Sequence, residues 1–126
     1  VGWFLMALER SDGSYKAFTP LDPRNQYLQL KGGESVYGYI IRNVKEGRIF
    51  VGIEGEEPDL VHAVQSIGNE PWVWSSDFPH EVNIQTCGQE IRELIGNEAL
   101  SDDDLESILS LNATRLYKLR APAKRR

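Results

Sequence analysis

The chain has 126 residues, with 14 Lys and Arg against 19 Asp and Glu, a formal net charge of −5 and one cysteine, which is the size of one domain or less. No apolar stretch approaches the roughly 20 residues that span a bilayer, and the mean hydropathy is −0.41, so a membrane-spanning protein is excluded. A disulfide scaffold is excluded too, because Cys87 has no partner in the chain; a lone thiol suits a reducing cytoplasm, the compartment expected here.

Charge is unevenly placed. Lys118, Arg120, Lys124, Arg125 and Arg126 hold five of the basic residues, so the body before them carries 9 against 19 acidic ones. Such a body repels phosphates, and no nucleic-acid partner is expected. Residues 120–126 read as a basic, frayed tail around Ala121-Pro122-Ala123. The first residue is Val1 rather than Met, and the chain enters at once into Trp3-Phe4-Leu5-Met6-Ala7-Leu8 with no basic segment ahead of it. This start reads as a truncation rather than a processed secretory signal.

Apolar density predicts a helix over residues 2–10, ended by the turn-forming cluster Ser11-Asp12-Gly13-Ser14. Lys16 to Glu34 holds Pro20, Pro23 and Gly32-Gly33 and reads as a long irregular connection. Ser35 to Val44 fits either a short helix or a strand. From Ile49 to Ile53 the β-branched, nearly continuous apolar run is a buried strand, closed by the acidic Glu54-Gly55-Glu56-Glu57. Pro58 then opens a helix with Leu60, Ala63, Val64 and Ile67 on one face and Gly68 at its stop. Trp72 to Ser76 is a second strand. A strand, a helix and a strand within about 30 residues form a βαβ unit, whose strands are parallel.

Beyond Asp77-Phe78-Pro79-His80 a helix is expected over Gln89 to Ile95, with Ile91, Leu94 and Ile95 on one side and Gly96-Asn97 ending it. Ser101-Asp102-Asp103-Asp104 has the form of a capping box with carboxylates in the first turn. Leu105, Ile108 and Leu109 make the apolar face that follows, and Asn112 is expected to cap a last helix, Ala113 to Leu119, whose apolar residues include Leu116 and Leu119.

Period-2 geometry puts Val73, Ser75 and Asp77 on one face of the second strand and Trp72, Trp74 and Ser76 on the other. Ligand sites of parallel α/β folds lie outside the carboxyl ends of the strands, which places Asp77 where a carboxylate can bind a divalent metal or take a proton. The bland alternative is an Asp that caps the next turn. His62 lies opposite the apolar face of its helix and is expected in solvent; Cys87 has no neighbouring His or basic residue and reads as a half-buried structural thiol. Trp72 and Trp74 are expected to pack under the helices that cover the sheet.

Ser75-Ser76-Asp77-Phe78-Pro79-His80, read with Ile108-Leu109-Ser110-Leu111-Asn112-Ala113-Thr114-Arg115-Leu116-Tyr117, resembles the end of an amidohydrolase-related protein. The likeness is to the amidohydrolase-2 group of metal-dependent TIM-barrel hydrolases and decarboxylases, and it runs from about Asn43 to Leu119. It implies an α/β fold that is the C-terminal fragment of a (β/α)8 barrel. Residues 1–119 would be part of one barrel domain: 1–47 a helix and irregular insertion, 48–119 the last two βα units and closing helices. It also implies that Asp77 is a metal ligand and the base that activates a water on that metal. The metal expected is zinc, with manganese the second choice. His80 matches the motif's histidine and is assigned to the pocket or to loop support. Glu54, at the end of the preceding strand, is a weaker pocket candidate, since a Glu-rich loop in solvent explains it equally well.

The family pattern also needs a His-x-His and further histidines, whereas only His62 and His80 are present. A full barrel takes about 250 residues. The chain is therefore expected to be a piece unable to bind a catalytic metal alone. Two readings follow: an intact enzyme that hydrolyses or decarboxylates a small, cyclic or carboxylated substrate, or a non-catalytic barrel remnant serving as an interaction domain. A His-x-His upstream in the reading frame discriminates between them. A small-molecule partner is expected, and oligomerisation is left open, with a homo-oligomer allowed.

Overall fold

The computed structural model describes residues 1–24, 30–80 and 82–120. The tail beyond Arg120 read from the sequence lies outside them, as does part of the Lys16 to Glu34 connection. In chain order the elements are α1 (Gly2–Phe18), α2 (Val36–Lys45), β1 (Val51–Ile53), α3 (Leu60–Ile67), β2 (Trp72–Trp74), α4 (Ile84–Ile95), α5 (Asp102–Glu106) and α6 (Asn112–Leu116). A 3₁₀ turn, Thr19–Leu21, follows α1, and a π-helical turn, Ser107–Leu111, joins α5 to α6. The fold is α/β: mostly helix, around one small parallel sheet.

The helix expected over 2–10 runs on to Phe18, straight through the Ser11 to Ser14 cluster. Turn-forming residues act by offering side-chain bonds that compete with the helix, and here those side chains are engaged without breaking it. Ser11 Oγ donates to Leu8 O at 2.8 Å. Asp12 Oδ1 accepts from Val36 N–H at 2.6 Å and so serves the next helix instead. The ambiguous Ser35 to Val44 segment is the helix α2; Ser35 caps it, its Oγ accepting from Gly38 N–H at 2.9 Å.

β1 and β2 pair in parallel, with Val51 opposite Trp72, Gly52 opposite Val73 and Ile53 opposite Trp74. Each strand is three residues long, shorter than the apolar runs that announced it. Between them α3 buries Leu60, Ala63, Val64 and Ile67, leaves His62 exposed and ends at Gly68. That glycine is at φ 92°, ψ 177°, a conformation open essentially to glycine alone.

One face of the sheet forms the core. Val51, Ile53 and Trp72 pack with Phe4 and Leu8 of α1, the apolar face of α3, Leu94 of α4, and Ile108. Phe4 meets the Trp72 ring edge to face at 5.9 Å, and Trp72 Nε1–H donates to Gly68 O. Trp74 is partly buried against this core. The opposite face, with Gly52 exposed, borders an open groove of about 550 Å³ that also touches Phe50, Val73, Ser75, Ala113, Leu116 and Tyr117.

The C-terminal half departs from expectation at α4 and at Asn112. α4 begins at Ile84, five residues before Gln89, because Asn83 and Thr86 form a reciprocal capping box that apolar periodicity does not register; of its expected apolar side Leu94 is buried and Ile95 exposed. The box at Ser101 and Asp104 forms as read. Asn112, expected as a cap, is instead a buried helical residue, 2% exposed, inside a continuous run from α5 through the π turn to α6. A cap needs non-helical backbone, and Asn112 is at φ −68°, ψ −40°. Leu116 and Leu119 are exposed.

Candidate functional site

The carboxyl ends of both strands lie on the same side of the sheet, as parallel pairing requires. Ser75 N–H donates to Ile53 O at 2.8 Å, so the ladder extends one bond past β2 and places Glu54 beside Ser75 at the rim. Asp77 comes two residues later. It is not a strand residue: its φ is 51°, in the left-handed region that a short polar side chain tolerates better than most. The face assignment by alternation therefore stops at Ser75.

The turn beyond is tied locally. Ser76 Oγ accepts from Phe78 N–H at 3.3 Å and His80 N–H donates to Asp77 O at 3.0 Å. The Phe78–Pro79 peptide is cis. This geometry brings the two sequence-chosen residues into contact: His80 Nδ1 lies 3.1 Å from Asp77 Oδ1. The Asp77 side chain is 45% exposed and that of His80 76%. With the proton on Nδ1 the ring donates to the carboxylate and presents the Nε2 lone pair outward. Asp77 Oδ2 accepts no hydrogen bond among the described residues.

Glu54 is also at the rim, but it is exposed and makes no hydrogen bond or ion pair with Asp77 or His80 among the described residues. Cys87 is half-buried. The open groove reaches the rim at Ser75. A second cleft of about 550 Å³, lined by Glu56, Glu57, Leu60, Glu93 and Asn97, touches neither Asp77 nor His80.

A carboxylate oxygen and an imidazole nitrogen are donors that zinc accepts, but a catalytic zinc takes three protein ligands. Among the described residues no group of three or more His, Cys, Asp or Glu is placed to hold a metal. Asp77 Oδ2 is thus one donor of the kind such a set contains, with His80 Nδ1 on the other oxygen of the same carboxylate. As they stand they make a hydrogen-bonded carboxylate–imidazole pair just past a strand end.

Compared with known proteins, residues 14–119 match a family model described as Amidohydrolase, more than four-fifths of the chain. No curated protein and no solved structure matches it. No helix among the described residues is long and apolar enough to cross a membrane.

Proposed function

The chain belongs to the amidohydrolase family, and from that premise we propose that it is the C-terminal part, residues 1–119, of a (β/α)8 barrel enzyme that hydrolyses or non-oxidatively decarboxylates a small cyclic or carboxylated substrate. The observation that supports this best is the placement of the Asp77–His80 pair. It sits just past the carboxyl end of a strand that is parallel to its neighbour and joined to it by a helix, where barrel enzymes keep their chemistry.

In this reading Asp77 gives one carboxylate oxygen to a divalent metal, zinc by first choice and manganese by second, since a mixed oxygen–nitrogen site does not choose sharply between them. When bound, such a metal polarises the substrate and makes water a stronger acid. The chain's own contribution is positioning and proton handling. Asp77 Oδ1 is held by His80 Nδ1 at 3.1 Å, which orients the carboxylate, leaves Oδ2 outward and keeps lone pairs available to take a proton from the attacking water. His80 acts on Asp77 rather than on substrate, as outer partners of metal ligands do. Glu54, one rim position away, lines the pocket without entering the chemistry. We place the enzyme in the cytoplasm, with a small molecule as partner, no nucleic acid, and self-association an open option.

The test uses the intact enzyme. Asp77→Asn keeps the shape but weakens the metal ligand and removes the base; turnover should fall by on the order of 10² to 10⁴, with metal content falling too. His80→Ala should keep most of its metal and lose less activity. Full metal and full turnover in Asp77→Asn would overturn the assignment and leave Asp77 as a turn former.

A further inference from the structure

Among the described residues, the C-terminal helical run packs on the sheet through several side chains but hydrogen-bonds to it through one. Main-chain groups of Pro71 and Ser75 face β1, since Val51 N–H donates to Pro71 O at 2.7 Å and Ser75 N–H to Ile53 O at 2.8 Å. Alternation along a parallel strand then turns Trp72 O to the opposite edge. No strand pairs with that edge among the described residues. The Asn112 carboxamide stands there instead, Nδ2 donating to Trp72 O at 2.8 Å and to Asn69 O at 2.7 Å.

Both hydrogens of that nitrogen are used. Leu and Asp, the side chains nearest in shape, have neither. The π-helical turn Ser107–Leu111 precedes Asn112 directly. One extra residue in a helical turn rotates everything after it by about 100°, so the bulge decides which side chain of the run meets β2.

We propose that Asn112 is a positioning residue: by pinning the outward edge of β2 it sets the direction in which Ser75, Ser76 and the Asp77–His80 turn leave the sheet. A ladder along one edge fixes register but lets a three-residue strand swing about that edge, as a door swings on its hinges. A bond to the opposite edge stops the swing. Asn69 strengthens the hold, because its carbonyl is bound by Asn112 while its own Nδ2–H donates to Asp104 Oδ1 at 2.8 Å, tying the entry of β2 to two points of the helical run, one before the π turn and one after it. The proposal rests on the proposed function only for what the turn does, and not for where the turn sits.

The experiment compares Asn112→Ala and Asn112→Ser with Val44→Ala in the full chain by NMR. Val44 is fully buried on α2, so its truncation lowers global stability through the core alone. At denaturant concentrations that match global stability, Ser75 amide exchange should be about tenfold faster or more in Asn112→Ala than in Val44→Ala. At fixed pH, the His80 ring signals should move from their wild-type positions in Asn112→Ala alone of these two. The serine hydroxyl has a single hydrogen and a shorter reach, so Asn112→Ser should loosen the turn in the same sense and answers the question if the alanine variant does not fold. Ser75 exchange and His80 signals that track Val44→Ala at matched stability would overturn the proposal. Metal content of Asp77→Asn in the intact enzyme is a separate readout. Its failure to change sinks the function reading and leaves the placement of the turn standing.

Discussion

Removing the Asp104 carboxylate should destabilise the chain by about 2 kcal/mol at neutral pH, and the loss should disappear in acid. Asp104 does two jobs. It accepts from Ser101 N–H at 3.0 Å while its own N–H donates to Ser101 Oγ, closing the first turn of α5. It also accepts from Asn69 Nδ2 at 2.8 Å, across 35 residues of sequence. Alanine keeps the bond from its own N–H to Ser101 Oγ and loses the one from Ser101 N–H, which is worth ~1 kcal/mol. A hydrogen bond to a charged group contributes about 1.5–3 kcal/mol when shielded, and the part-exposed position of Asp104 puts it nearer 1 kcal/mol by the screening that weakens surface charge pairs. For a chain of this length that corresponds to a fall in Tm of roughly 8 °C. The Ser101 hydroxyl holds the Asp104 carboxyl below its ordinary value, burial opposes it as the next largest effect, and the Asn69 amide and the Ser101 backbone N–H add smaller pulls in the lowering direction. A carboxyl depressed in the folded state contributes stability that is fully present above the unfolded value, about 3.9, and is lost as pH falls through the folded one. Thermal melts of wild type and Asp104→Ala should therefore differ from pH 7 down to about pH 5, and the gap should narrow as pH falls further, through the depressed value of the folded state. Coincident melts at pH 7, or a gap that survives undiminished in acid, would refute the reasoning.

Gly68→Ala should lower Tm by the equivalent of about 1–3 kcal/mol, since a side chain at φ 92°, ψ 177° is strained and its Cβ would meet the Glu70 carboxylate; an unchanged melt would mean that the turn relaxes freely. Ile108→Ala empties a site with no solvent exposure at the foot of the π turn and should cost about 2–5 kcal/mol in the denaturant midpoint with an unchanged slope. A loss under about 1 kcal/mol would mean that the surrounding core collapses around the gap.

Local pattern made the central βαβ unit legible. The apolar run at Ile49–Ile53, the spacing of Leu60, Ala63, Val64 and Ile67, and the stop at Gly68 all point the same way, and the parallel pairing follows from them. Ser101 and Asp104 were legible because a capping box is written within four residues. What escaped depends on contacts distant in sequence. α1 runs through its turn formers because Asp12 is recruited by Val36, 24 residues away. Asn112 looks like a cap until the carbonyls of Asn69 and Trp72, 43 and 40 residues upstream, are placed beside it. At the site, Asp77 and His80 could be chosen from the motif, but their contact depends on a left-handed backbone at Asp77 that spacing does not encode. Glu54 reaches the same rim and stays apart from the pair, because being next on the ladder fixes where its backbone lies and not where its carboxylate goes.

The bond from Val36 N–H to Asp12 Oδ1, at 2.6 Å, also bears on how the segment between α1 and α2 can change. The two helices pack on each other and are fastened by that bond, so the connection between them is closed by groups outside itself. Doubling the length of a flexible connection adds only about 0.6 kcal/mol of closure entropy. A longer chain between the two helices would leave that fastening in place, so the added cost of closing it grows slowly with length.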